Sequence, residues 1–342
     1  MNTLLSVSLL AATASAAIVL SDDLVQKVEK GQSLVTSITL ESSSTLEESH
    51  TIVNGNEMPM PGEMTLESTN SSSITFTDKV LRASEGRLMG FQRTYSEASD
   101  SRSTQMVDPM GGDHSGEVAR TSQLVDLPIL FQRGDEGFVA EFPEDSEGDA
   151  EWLDGLLATP DWGLLLPGAS PKIGDEWEVP VSFLQTLREP GGDIVWENEG
   201  EGSALDGDVQ APPGAMNYEG EINAELTEIE DGIAKIELEF EVNTELDLTE
   251  FMPEDGIAVG DEDSGMPTPD IQSIVSESET EGTGVAYWDI EAGRLTSIKI
   301  DLESLEVQTV ILELDMGGQV MEIESITKSL VVETIEAEIT LE

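Results

Sequence analysis

Residues 232–248, GIAKIELEFEVNTELDL, decide the fold class because apolar and polar side chains alternate along the whole stretch. The apolar positions are Ala234, Ile236, Leu238, Phe240, Val242, Leu246 and Leu248. The positions between them hold Lys235, Glu237, Glu239, Glu241, Glu245 and Asp247. Successive side chains of a β-strand point to opposite faces of a sheet. The stretch therefore predicts a strand with one face in the core and one acidic face in solvent.

The same two-residue period recurs along the chain, and Asp231-Gly232, just before this stretch, is typical of a hairpin turn. Further strands are predicted at residues 35–42, 72–80, 87–97, 175–183, 220–229, 296–303, 307–316 and 331–341. Residues 145–159 differ, because their apolar side chains share a helical face. We therefore expect an all-β protein with minor α content. Its strands would form an antiparallel sandwich or a strongly curved open-barrel sheet, with one short helix near 145–159.

The first residues, MNTLLSVSLLAATASAAIVL, have the uncharged apolar run and small-x-small ending, Ala14-Ser15-Ala16, of a secretory signal peptide. We predict a signal peptide at 1–16 and export to the periplasm or the cell exterior. The chain has no cysteine, which excludes disulfides and thiolate metal sites. The remaining chain is long enough for an N-terminal β lobe with the short helix, 17–165, and a C-terminal β lobe, 166–342, or for one continuous domain.

The charge of the chain is extreme, with 71 acidic against 15 basic residues and a formal net charge of -56. Repulsion makes nucleic acid an unfavourable partner. Acids on neighbouring strands also repel one another, and salt shortens the range of that repulsion from about 10 Å at 0.1 M to about 3 Å at 1 M. The composition therefore predicts a halotolerant protein that attracts cations weakly. We expect no membrane insertion, because aromatic residues make up only 5% of the chain and could hardly form the girdles of a membrane barrel.

Residues 164–179, LLLPGASPKIGDEWEV, contain a Leu-Pro segment followed by a Gly-Asp-x-Trp turn. The residues of this motif are Leu166, Pro167, Pro171, Gly174, Asp175 and Trp177. A later strand carries Gly284, Ala286 and Asp289, with Tyr287 and Trp288 between the last two. Through these motifs the chain resembles, over about residues 120–340, a family of uncharacterised secreted bacterial β-proteins. The resemblance implies an envelope or extracellular protein of antiparallel β architecture, and it transfers no functional residue because the family has no assigned site.

For function, we expect a non-enzymatic secreted or cell-envelope protein that binds a partner protein or an apolar ligand. No residue pattern indicates a catalytic site. A curved sheet can enclose a ligand on its concave side, and an apolar ligand would need a pocket lined by residues such as Ile236, Leu238 and Phe240.

Two other functions remain open. A hydrolase acting on surface glycans would need two carboxylates converging in a cleft beside exposed tryptophans. A calcium-dependent structural or adhesion module would need an oxygen-rich loop, which the acidic segment around residue 262 offers. The candidate calcium ligands are Asp261, Glu262, Asp263 and Asp270. They lack the spacing of an EF-hand loop, and no other cofactor is expected.

Overall fold

The computed structural model describes residues 24, 26–58, 64–84, 87–107, 112–134, 137–158, 160–167, 170–198, 215–251, 270–315 and 320–342. In these residues fourteen β-strands form one sheet. The strands are β1 (Ser33–Val53), β2 (Asn56–Met58), β3 (Thr65–Ser84), β4 (Arg87–Val107), β5 (Asp113–Ser122), β6 (Pro128–Arg133), β7 (Phe138–Glu141), β8 (Glu176–Val179), β9 (Trp196–Asn198), β10 (Asn217–Glu230), β11 (Ile233–Asp247), β12 (Asp270–Asp289), β13 (Arg294–Asp315) and β14 (Val320–Leu341). The helices are α1 (Ser182–Arg188) and the 3-10 helices Ala150–Leu153, Trp162–Leu165 and Thr249–Phe251.

The strands follow one another in the order β7-β6-β4-β3-β1-β14-β13-β12-β11-β10-β8, and the ladders between them are antiparallel. Outside this path, β2 pairs with β1, and β5 pairs with β4 and β9. β1 lies beside β14, from Leu34 opposite Leu341 to Val53 opposite Ile323. The predicted lobes, 17–165 and 166–342, therefore contribute strands to the same sheet. The division into two lobes, with one continuous domain as the alternative, stays a prediction.

The sheet is strongly curved, as two residues on distant strands show. β4 and β12 are five strands apart in the sheet order. Across a flat sheet that separation would be roughly 24 Å, at about 4.8 Å per strand. Yet Phe91 of β4 and Trp288 of β12 line the same cavity, which has a volume of about 80 Å³. The all-β class with minor helix is thus confirmed, and of the two predicted architectures the chain adopts the curved sheet.

The helical content lies only partly where the sequence pattern placed it. Within 145–159 the regular helix is a single 3-10 turn, Ala150–Leu153, which ends where Asp154 is extended and Gly155 has φ +77°. The α-helix is α1, in a region expected to continue as strand to residue 183. β8 ends at Val179 because Pro180 cannot donate to the ladder. The buried apolar residues that follow have the spacing of one face of a helix rather than of a strand. They are Phe183, Leu184 and Leu187.

Two turns predicted from sequence are confirmed. Asp231 and Gly232 have φ of +50° and +82°, the backbone of a two-residue hairpin, and they connect β10 to β11. Gly174, with φ +89°, and Asp175 form the turn before β8, where Oδ2 of Asp175 accepts a hydrogen bond from the Lys172 amide at 2.8 Å. Trp177 then anchors β8 by donating Nε1–H to the carbonyl oxygen of Leu165 at 3.0 Å.

Candidate functional site

The inner face of the sheet changes from apolar to polar partway along its strands. On β1, Ile38 is buried in the core, whereas Ser42 and Ser44, which lie on the same face, line an open cavity. On β13, Ile300 is buried and Gln308 lines that cavity. Residues an even number of positions apart share a face of a strand, so both halves belong to one continuous concave surface.

The polar half encloses a cavity of about 810 Å³, which we call the polar trough. Seven strands contribute to its lining: β1, β3, β4, β5, β9, β13 and β14. Hydroxyl and amide side chains are prominent in it; examples are Ser44, Ser68, Asn70, Thr104, Gln308 and Ser329. A second cavity, of about 210 Å³, shares Ser42, Glu306 and Val331 with the trough and therefore adjoins it.

Hydroxyl pairs separate the trough system from the packed core. The hydroxyl groups of Thr280 and Ser304 lie 2.8 Å apart in the buried interior. Those of Thr244 and Ser278 lie 2.7 Å apart beside the smaller cavity. Buried hydroxyl groups cost free energy unless they are hydrogen-bonded, and these pairs satisfy one another across neighbouring strands. The polar surface therefore approaches the core without leaving these groups unsatisfied.

Arginine–carboxylate ion pairs occur in the trough and beside the smaller cavity. Nε of Arg120 donates to Oδ2 of Asp100 at 2.6 Å, and the Arg120 guanidinium also lies 5.5 Å from the Trp196 ring centroid. Beside the smaller cavity, Arg188 of α1 donates Nε and Nη2 to Oε2 of Glu333 at 2.9 and 2.6 Å. This pair is largely buried, with side-chain exposures of 17% and 8%. It ties the helix to the centre of the sheet.

The environment of Arg188 also shifts pKa values in this part of the site. Burial alone would lower the pKa of Arg188, but the adjacent Glu333 carboxylate raises it above its usual value. Burial raises the pKa of Tyr218, which lies near the same guanidinium. Arg188 therefore stays charged and Tyr218 neutral at physiological pH.

The charges lining the two cavities balance. Arg102, Arg120 and Arg188 contribute +3, and Asp100, Glu306 and Glu333 contribute -3, which gives a formal sum of zero. Glu306 is already engaged, because Oε1 accepts a hydrogen bond from the Ser276 hydroxyl at 2.7 Å. The trough is thus formally neutral in a molecule whose net charge is -56.

The apolar pocket expected from sequence is not formed by the residues named for it. Ile236, Leu238 and Phe240 are at most 3% exposed and belong to the packed core. They line none of the three cavities described in this structure. The side chains of α1 are part of the same core, so the concave apolar half is occupied by the protein itself.

The calcium candidates are mostly outside the described residues, which include neither Asp261, Glu262 nor Asp263. Asp270 begins β12, is exposed, and accepts a hydrogen bond from Nε2 of Gln272 at 2.9 Å. Among the described residues, no group of three or more acidic or histidine side chains is arranged to hold a metal ion. Calcium binding through the four candidates stays a prediction.

The features that would favour a glycan hydrolase are not assembled in the trough. Its acidic residues, Asp100 and Glu306, are held by Arg120 and by the Ser276 hydroxyl. Trp162 and Trp288 are buried, and Trp196, which lies beside the trough residue Arg120, is half-buried. Within the described ranges, none of the helices has the length and apolar character needed to cross a membrane.

Sequence reasoning missed the trough residues because serine, threonine and asparagine do not stand out as site residues. A signal was nevertheless present. The series Ile38, Leu40, Ser42, Ser44 keeps the two-residue period while its chemistry changes from apolar to hydroxyl. Such a change along one face marks the point where the core ends and a polar concave surface begins.

No family model matches the chain, and no curated protein matches it. Among solved structures, the outer membrane protein OprG from Pseudomonas aeruginosa is similar at 5% identity and a TM-score of 0.29, over 92% of this chain and 99% of that one. An outer membrane channel from Pseudomonas putida F1 is similar at 8% identity and a TM-score of 0.25, over 92% of this chain and 97% of that one. OccK7 from Pseudomonas aeruginosa is similar at 8% identity and a TM-score of 0.17, over 91% of this chain and 100% of that one. TM-scores this low do not indicate a shared fold.

Proposed function

We propose that this protein is an exported, non-catalytic binding protein that holds a neutral, hydroxyl-rich ligand, of the oligosaccharide class, in the polar trough. The observation that carries the proposal is the cavity of about 810 Å³ with its hydroxyl and amide lining. Its volume lies within the roughly 300–1,000 Å³ of small-molecule sites. Export is supported by the signal-peptide pattern at residues 1–16.

An open polar concave surface has no evident role in folding. Apolar burial is the main favourable contribution to stability, and the trough half of the sheet contributes little of it. The long strands β1, β3, β4, β13 and β14 nonetheless continue past the core and line the trough. A surface that contributes little to stability and is concave is more readily explained by ligand binding.

The lining chemistry favours a neutral ligand over an ion. Hydroxyl and amide groups both donate and accept hydrogen bonds, as do sugar hydroxyls. A charged ligand would compete with ion pairs already formed, such as Arg120 with Asp100 at 2.6 Å. The formally neutral trough also has no net positive charge to offset the repulsion between an anion and the net charge of -56. Trp196, beside Arg120, adds an aromatic ring next to a trough residue.

Isothermal titration with malto-, cello- and chito-oligosaccharides tests the proposal directly. We expect one of these neutral series to bind, and Asn70→Leu in the trough to weaken that binding about tenfold, equivalent to about 1.4 kcal/mol. The matched control is Asn223→Leu, because Asn223 is an exposed asparagine on β10 outside the trough lining. It should leave the affinity unchanged.

The apolar-ligand alternative makes the opposite prediction. Saturable binding of the dye ANS to the folded protein, with no binding of any neutral oligosaccharide, would refute the proposal. Oligosaccharide binding that Asn70→Leu and Asn223→Leu affect equally would also refute it, because the ligand would then lie elsewhere on the molecule.

A further inference from the structure

A small cavity at the apolar end of the sheet gathers positive charge. It has a volume of about 80 Å³, and we call it the arginine pocket. Its lining includes three of the 15 basic residues of the chain: Lys27, Arg93 and Arg294. Asp78 is the acidic residue in the lining, so the lining sums to a formal charge of +2 (+3 from the three cations, -1 from Asp78). The pocket is thus a cationic site inside a strongly acidic protein.

Two of these cations are fully engaged by the protein. Arg93 donates Nε to Oδ1 and Nη2 to Oδ2 of Asp78, both at 2.8 Å. Lys27 donates Nζ to the carbonyl oxygens of Ile290 and Glu291 at 3.1 and 2.9 Å. Neither residue therefore needs a further partner, and the carboxylate of Asp78 is committed to Arg93.

The third cation is different. Nε and Nη1 of Arg294 are buried and have no hydrogen-bond partner among the described residues, and the same holds for Nε1 of Trp288. Trp288 is fully buried, and both side chains line the pocket. Buried donors without an acceptor are unfavourable, most of all when they carry charge. Both side chains line the pocket, but these donor atoms have almost no surface open to a water-sized probe, so an acceptor in the pocket reaches them only when the two side chains turn toward it.

Apart from Gln26 and Thr36, the remaining walls are apolar, and they set the size of an occupant. They include Phe76, Leu88, Phe91 and Trp162. A volume of about 80 Å³ exceeds the roughly 10–15 Å³ that one water requires. It is an order of magnitude below the volume of the polar trough, about 810 Å³, which excludes an oligosaccharide or a lipid.

We propose that the arginine pocket binds a small aliphatic carboxylate, from acetate to butyrate in size. Its carboxylate group accepts hydrogen bonds from Arg294 and from Nε1–H of Trp288, because the planar guanidinium matches carboxylate geometry. Its alkyl group packs against Phe91 and the neighbouring apolar wall.

The segment around Lys27 forms part of the pocket wall. The Lys27 amide donates to the Gly293 carbonyl oxygen at 2.8 Å, and residues 26–28 contribute to the lining. Gly293 has φ +64°, and a Cβ there would meet the Lys27 side chain, so only glycine permits this close crossing.

The test uses the purified protein with sodium acetate replacing sodium chloride at constant sodium concentration. Because Trp162 and Trp288 both line the pocket, tryptophan fluorescence should change saturably with acetate, and the melting temperature should rise. Arg294→Gln and Trp288→Phe should each weaken acetate binding at least tenfold. Arg133→Gln is the matched control, because Arg133 is an exposed arginine on β6 outside the pocket, and it should have no effect.

Three results would overturn the proposal: no saturable response to acetate, an undiminished response in Arg294→Gln, or chloride and acetate binding with equal affinity. If Arg294→Gln does not fold, Arg294→Lys serves instead. It keeps the charge but loses the guanidinium fork, so unchanged acetate affinity in that variant would equally contradict the assignment.

Discussion

Four glutamates form a row across the convex face of the sheet. Glu221 lies opposite Glu241, Glu241 opposite Glu281, and Glu281 opposite Glu303. All four are exposed. At a separation of about 5 Å and the dielectric constant of water, each neighbouring pair repels by about 0.8 kcal/mol before screening. Like charges directly opposite one another in a sheet are destabilising, so this row lowers the free energy of unfolding.

Neutralising Glu281 removes two of the three repulsive pairs at once. The unscreened gain for Glu281→Gln is about 1.7 kcal/mol. A Debye length of about 10 Å at 0.1 M salt reduces it to about 1 kcal/mol, and one of about 3 Å at 1 M reduces it to about 0.3 kcal/mol. These are upper limits, because exposed side chains can rotate apart. The stabilisation should therefore be clear at low salt and nearly lost in brine.

Urea denaturation at 0.1 M and 1 M NaCl measures this effect, since urea, unlike guanidinium chloride, adds no ions. The matched control is Glu219→Gln, because Glu219 is exposed on the same face of β10 as Glu221 but lies opposite the neutral Asn243. It lacks the cross-strand repulsion and should gain less. Equal gains in the two variants, or a gain for Glu281→Gln that persists at 1 M NaCl, would refute the reasoning. So would a wild-type stability that is indifferent to NaCl.

Three further predictions concern single sites. Arg188→Met should lower the free energy of unfolding by about 3–5 kcal/mol, because it leaves Glu333 buried without its partner. Adding Glu333→Leu should restore most of that free energy, and urea denaturation measures both changes. Burial raises the pKa of Tyr95 in the folded state. The contribution of the neutral Tyr95 phenol to stability is therefore present below the unfolded pKa of about 10, and it is lost as pH rises through the higher pKa of the folded state. The stability of Tyr95→Phe should therefore fall less steeply at alkaline pH, and an alkaline profile identical to that of the wild type would contradict this. Gly232→Ala should cost about 1 kcal/mol, because φ of +82° is unfavourable for alanine, and an unchanged melting temperature would show that the turn relaxes.

The fold class could be predicted because strand periodicity is a local property of the chain. The alternation in residues 232–248 became β11, with Ile236 and Phe240 buried and Glu239 exposed. Asp231-Gly232 likewise predicted its turn, because a two-residue hairpin depends on only a few neighbouring backbone angles. The short helix predicted near 145–159 is present only as the 3-10 turn Ala150–Leu153, because the backbone beyond it pairs with a distant segment: the Leu157 amide donates to the Gly191 carbonyl oxygen at 2.8 Å.

The candidate sites, in contrast, were only partly predictable. The two-residue period continued from Ile38 to Ser44. Beyond Leu40, however, both faces of the strand are polar, so the sequence shows no hydrophobic contrast between them. The predicted strand therefore ended at residue 42, whereas β1 extends to Val53. The sequence by itself determined that strands form, where their apolar faces lie, and that the exterior is acidic. Only the tertiary structure decided the pairing of β1 with β14, the curvature that encloses the polar trough, and the gathering of Lys27, Arg93 and Arg294 in one pocket. The physical reason is that these features depend on contacts between residues hundreds of positions apart, whereas local side-chain alternation carries no information about which strands meet.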